Sequence, residues 1–88
     1  MRQIKFRGRT RNGNFVYGDL IQSWNEASIF DGERRCRVLD DSVAQFVGCD
    51  KTGVEVYEGD TLVDELENEF VAEIYMRPEQ VARLTLKS

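Results

Sequence analysis

Apolar and polar positions alternate with a period of two along most of this chain, and turn-forming residues separate the alternating runs. Over residues 3–10, Ile4, Phe6 and Gly8 fall on one face and Lys5, Arg7 and Arg9 on the other, which predicts a half-buried strand with a basic outer face. Arg11-Asn12-Gly13-Asn14 follows, and its Asn-Gly pair is a type I′ hairpin signal, so residues 15–21 are expected to return antiparallel. Gly18 interrupts that second run and reads as a bulge, or a bend where another backbone comes close. The chain is polar around Trp24, which leaves that ring as either a core lid or a contact residue in a loop. Residues 27–30 and 34–39 are short strand candidates on either side of Asp31-Gly32, a second type I′ signal.

Ser42-Val43-Ala44-Gln45 has the Ser-x-x-Gln form of a capping box and predicts a short helical turn near 42–46, leading into a strand at 45–48. Asp50-Lys51-Thr52-Gly53 then folds Phe46-Val47 and residues 54–57 back on one another, and Glu58-Gly59-Asp60 reverses the chain again. A strand at 61–66, a turn at Glu67-Asn68-Glu69 and a strand in which Phe70, Ala72 and Ile74 alternate with Val71, Glu73 and Tyr75 complete this region. Pro78 ends that strand. Beyond it Ala82, Leu84 and Leu86 alternate as a strand would, although Pro78-Glu79 also suits the opening of a short helix; the alternation favours the strand. The expected fold is mainly β: a single small domain over 1–88, SH3-like in size, built as a partly open barrel or sandwich of short antiparallel strands.

Composition narrows the function classes. An apolar share of 41% in 88 residues suits a small globular domain with a thin core. The net charge of −4 conceals an asymmetry, because residues 1–18 hold five basic residues and no acid while residues 19–88 hold seven basic and sixteen acidic ones. The acidic balance argues against wholesale nonspecific nucleic-acid binding, although a local basic strand remains available for it. Met1 to Arg7 alternates charge with hydrophobe, unlike a signal peptide, and no run is long enough to span a membrane, so a soluble cytoplasmic protein with no membrane role is expected. Cys36 and Cys49 lack a Cys-x-x-Cys spacing and are expected to be small packing thiols.

The chain contains no histidine, which removes the triads that use it, the commonest general base and the commonest zinc ligand. It also lacks a phosphate-binding Gly-Lys-Ser/Thr loop. Asp64, Glu65, Glu67 and Glu69 do not follow EF-hand spacing and read as a solvated strand end. Glu58 and Asp60 flank Gly59 and could form a carboxylate pair, but a turn in which Asp60 bonds local backbone accounts for them. Tyr17, Tyr57 and Tyr75 read as core-edge rings. No catalytic residue, metal or cofactor is therefore expected, and the candidate interaction surface comprises Lys5, Arg7, Arg9, Arg11, Trp24, Glu58 and Asp60.

Five blocks in order, Met1-Arg2-Gln3-Ile4-Lys5-Phe6-Arg7, Val16-Tyr17-Gly18, Val43-Ala44-Gln45-Phe46-Val47-Gly48, Asp50-Lys51-Thr52-Gly53 and Val56-Tyr57-Glu58-Gly59-Asp60, resemble the YopX protein family. They cover roughly half of the chain, and Ala44, Val47, Cys49 and Thr52 depart from the residues that the family tends to have there. The resemblance implies a mainly β domain encoded by phages, prophages and related mobile elements of bacteria, with no established activity and no catalytic residues to carry over. Together these observations lead to the expectation of a non-enzymatic accessory protein of a bacterial host cell. Its expected mode is self-association as a homo-oligomer or interaction with a protein partner; the alternative is a nucleic-acid-associated protein that uses the basic N-terminal strand.

Overall fold

The alternation at the start of the chain becomes a run of antiparallel hairpins in a computed structural model, which describes residues 4–87. The part of the first expected strand and of the family resemblance that falls on residues 1–3 lies outside the described residues, as does residue 88. The described residues are mainly β, with two antiparallel sheets, one short α-helix and no closed barrel among them. It divides into two compact units, residues 4–45 and residues 46–87 among those described.

In the first unit β1 (Phe6–Arg9), β2 (Phe15–Ser23), β3 (Glu26–Phe30) and β4 (Arg35–Val38) pair in sequence order. The start of β5 (Ala44–Cys49) pairs with the other side of β1, through Phe6↔Gln45 and Arg7↔Ala44. Period-two patterning sends Ala27, Ile29 and Val38 to a buried cluster, against which Phe6, Val16, Leu20 and Val43 pack. Gly8 also faces this cluster, where an added Cβ would lie 2.8 Å from the Val38 side chain. The close approach expected at Gly18 is present: its φ is +150°, and an added Cβ would fall 2.1 Å from the Phe30 carbonyl oxygen.

Two of the expected turn types are corrected. In the β1–β2 hairpin the Thr10 N–H bonds the Asn14 carbonyl at 2.8 Å and the Gly13 N–H bonds the Thr10 carbonyl at 3.0 Å. Gly13 has φ +88° and Asn12 does not have a positive φ, so this is a three-residue loop closed by a left-handed glycine rather than a type I′ turn. In the β3–β4 hairpin Gly32 alone of the two central residues has a positive φ, +102°, as a type II′ turn requires. The Asp31 carboxylate accepts the N–H groups of Glu33 and Arg34 there, both at 2.9 Å, and these bonds lower its pKa.

The helical turn expected near 42–46 is also displaced. A single 3-10 turn occupies Asp40–Ser42, and Val43 is already extended. Ser42 does not form the capping box, because its hydroxyl donates to the Leu39 carbonyl at 2.6 Å and accepts the Arg9 N–H at 2.9 Å. That pair of bonds consumes the group that a helix start would have needed.

In the second unit the rest of β5 pairs with β6 (Glu55–Tyr57) across a bulge between Phe46 and Gly48. The bulge lets neighbouring residues both be buried: Phe46 meets Tyr57 edge-on, with centroids 5.6 Å apart, and Val47 enters the main core. A separate sheet is formed by β7 (Thr61–Val63), flanked by β8 (Glu69–Val71) and β9 (Thr85–Leu86). Val47, Val56, Leu62, Ala72, Val81 and Leu84 make the core, and each fully buried Val or Leu in it contributes about 1.5–3 kcal/mol.

Past residue 63 the expected elements shift. The strand expected at 61–66 ends at Val63, and the loop is Glu65-Leu66-Glu67 rather than Glu67-Asn68-Glu69. The next strand stops at Val71 instead of running to Pro78: the Ala72 N–H still bonds the Asp60 carbonyl at 2.7 Å, in register with the β7–β8 pairing, and residues 73–76 then turn, with the Met76 N–H on the Glu73 carbonyl at 3.0 Å. After it the helix alternative prevails first: α1 (Pro78–Val81) buries Val81, the Arg77 N–H is capped by the Gln80 side chain at 2.9 Å, and only then does β9 form. No helix among the described residues is long and apolar enough to cross a membrane.

Candidate functional site

The expected interaction residues fall on both units. Lys5 and Arg7 are half-buried and Arg9 and Arg11 exposed, all within the first unit. The Arg7 guanidinium lies over the Phe15 ring, 5.0 Å from its centroid. Trp24 occupies the tight turn between β2 and β3 at 99% exposure, so it is no core lid. Glu58 and Asp60 belong to the second unit. Glu58 is exposed, and Asp60 accepts the Tyr57 N–H at 2.9 Å, the turn role expected of it. Of the tyrosines, Tyr57 is buried and donates to Glu55 at 3.0 Å, whereas Tyr17 and Tyr75 are exposed rather than core-edge rings.

The register brings together residues that sequence reasoning left apart. Directly opposed residues in antiparallel strands point to the same face. The pairs Arg7↔Tyr17, Arg9↔Phe15, Asp19↔Phe30 and Phe30↔Arg35 therefore place Arg7, Arg9, Phe15, Tyr17, Asp19, Phe30 and Arg35 on the side of the first sheet away from its core, and Ser28↔Arg37 adds Arg37. Three rings remain substantially open on this face, Phe15 at 50%, Tyr17 at 42% and Phe30 at 37%. Arg35 and Arg37 both reach Glu26, at 3.7 and 3.3 Å, which holds the two guanidinium groups beside one another. In the sequence Arg35 and Arg37 alternate with Cys36 and Val38, but only the strand order places them on one face with Phe15 and Tyr17.

A second feature is the edge of the other sheet. No strand pairs with the outer side of β8 among the described residues. Asp64↔Asn68 and Asp60↔Ala72 are hydrogen-bonded pairs on either flank, so alternation directs the Phe70 backbone toward Leu62 and the N–H and C=O groups of Glu69 and Val71 outward. All three side chains are exposed, and Lys87 forms an ion pair with Glu69.

The most heavily bonded buried carboxylate is Asp50. Its Oδ1 accepts the Thr52 N–H at 2.9 Å, the Thr52 hydroxyl at 2.6 Å and the Val54 N–H at 3.0 Å, and its Oδ2 accepts the Leu86 N–H at 2.9 Å. Burial opposes its ionisation, but these bonds outweigh that cost and hold the pKa at about 2. Every acceptor bond runs to the protein's own chain, which makes Asp50 a tie between the 50–54 loop and β9.

Asp64 repeats the arrangement on the surface. Its carboxylate accepts the side-chain N–H of Asn68 at 3.0 Å and the N–H groups of Leu66 and Asn68, both at 2.9 Å, and these bonds lower its pKa. Among the described residues no group of three or more Cys, Asp and Glu is arranged to hold a metal ion. Cys36 and Cys49 are free thiols, the first half-buried and the second exposed. A surface cleft of about 610 Å³ lies beside the Thr10–Asn12 turn, with Arg37 and Asp41 on its walls. Comparison of this chain with protein-family models, with curated proteins and with solved structures returns no match.

Proposed function

We infer that this protein is a non-enzymatic binding module that assembles with a second copy of itself through the β8 edge, as an accessory protein of a phage, prophage or mobile element. The observation that carries this reading is an edge strand with outward backbone groups at Glu69 and Val71 and exposed Phe70 and Val71 side chains. Such an edge is a template for strand addition. Antiparallel pairing of two copies centred on Phe70 sets Phe70 opposite Phe70 and each Glu69 opposite Val71, so that the outward groups of one strand meet those of the other. Lys87 already matches the Glu69 charge, which lowers the cost of bringing two such strands together. The family resemblance supports the mobile-element setting.

Charge modulates the association. Residues 46–87 hold four basic and ten acidic residues, so two such units repel one another. Residues 4–45 hold seven basic and six acidic residues, which leaves no strongly basic unit to offset that repulsion. Salt therefore strengthens the dimer. A three-residue edge makes a weak one, with a Kd on the order of 0.1 mM.

Light scattering behind size-exclusion chromatography, run from about 10 µM to about 1 mM protein at low and high salt, tests this. The expected result is a monomer–dimer shift that salt enhances and that Val71→Lys abolishes. A monomer throughout, or a dimer indifferent to Val71→Lys, overturns it.

A further inference from the structure

We propose that the outer face of the first sheet binds a single-stranded oligonucleotide, its bases stacking on Phe15, Tyr17 and Phe30 and its phosphates meeting Arg7, Arg9, Arg35 and Arg37. This site is independent of the β8 edge and differs from a basic N-terminal strand acting alone. Its rings stand on β2 and β3, and arginines flank them on β1 and β4.

Three observations lead to this ligand. The rings of Phe15, Tyr17 and Phe30 stay 50%, 42% and 37% exposed together on one face of the sheet. Arginines border the rings on both sides, and every base has a π-face while every linkage carries a negative charge. The ion pairs from Glu26 order Arg35 and Arg37 at the rim, so part of the ordering cost of binding is met beforehand, while a base that stacks on Phe15 takes the place of the Arg7 guanidinium over that ring and frees it for a phosphate.

A duplex hides its base faces inside the stack and has nothing to offer the rings, which selects a single strand. The same face carries Asp19 and Glu26 against its four arginines, so phosphate contacts are few and stacking supplies most of the affinity. Both DNA and RNA present this chemistry, and the test separates them.

Fluorescence anisotropy with labelled oligothymidylate, oligouridylate and a duplex of equal length provides the test. The expected result is single-strand binding roughly tenfold or more tighter than duplex binding, with a slope of log K against log salt of only about −1.4 to −2.8, as two to four phosphate contacts give. Alanine at Phe15, Tyr17 or Phe30 weakens binding about 5- to 100-fold without changing that slope. Arg35→Gln makes the slope shallower by about 0.7, and Asp19→Asn tightens binding. Tyr75→Ala, an exposed ring outside this sheet, leaves affinity unchanged. Because the substituted rings are exposed, the variants keep the wild-type circular dichroism spectrum, and one that does not is replaced by its leucine counterpart. The relative affinities for the two single strands assign DNA or RNA. No binding at about 25 mM salt, equal binding of the duplex, or ring variants that bind as the wild type does each overturn the proposal.

Discussion

Replacing Asp50 with asparagine removes a charge that four donors are arranged to receive, and the consequence is pH-dependent in a way that isolates this one group. The amide oxygen can still take the Thr52 and Val54 donors, but the NH2 group then faces the Leu86 N–H, donor against donor. Losing one charged acceptor bond and leaving a buried N–H unpaired costs about 2–3 kcal/mol at neutral pH. The same bonds depress the pKa of Asp50. A fall from 3.8 to about 2 on folding corresponds to about 2 kcal/mol of stabilisation by the charged form.

Because the folded pKa is depressed, that stabilisation is fully present above the unfolded value and is lost as pH falls through the folded one. The stability gap between wild type and Asp50→Asn therefore narrows by about 1–2 kcal/mol from about pH 6 to about pH 2.5. Urea unfolding followed by far-UV circular dichroism measures it, since Trp24 is almost fully exposed in the fold and is a poor fluorescence reporter. Other carboxylates titrate alike in both proteins and cancel. A gap that stays constant across this range refutes the assignment of the bonds to an ionised Asp50.

Two further substitutions probe backbone geometry. Glu67 has φ +64° at the position that Gly13 and Gly53 occupy in the two other three-residue loops, so Glu67→Gly is expected to raise stability by about 0.5–1 kcal/mol in urea unfolding. A loss of stability there would contradict the equivalence of the three loops. Gly18→Ala is expected to cost about 3 kcal/mol or more in the same assay, because its Cβ would collide with the Phe30 carbonyl.

The β1–β2 and β3–β4 hairpins were legible because turn formers and alternation agree there, whereas residues 22–26 read as a polar loop and instead continue both strands into a tight turn at Trp24-Asn25 that no glycine marks. The turn types were not, since Asn-Gly and Asp-Gly dipeptides specify a reversal without stating how many residues the loop holds. Another misreading comes from a distant partner that uses a local group: Ser42 serves Arg9 instead of a helix start. The first unit's aromatic and arginine face was hidden too: alternation puts Arg35 and Arg37 on one side of their own strand, and only strand pairing shows that they share a face with Phe15. The three-residue loop at 64–68 lacked the glycine that marks its two counterparts, so its bounds were misplaced.

The claim that this protein assembles through β8 is tested most directly by amide hydrogen exchange at single-residue resolution as protein concentration rises. Exchange at Glu69 and Val71, whose N–H groups point away from β7, is expected to slow with concentration and to do so more at high salt, while Phe70, already bonded to Leu62, is protected throughout. Glu69 and Val71 amides that exchange at the same rate in dilute and concentrated solution would contradict it.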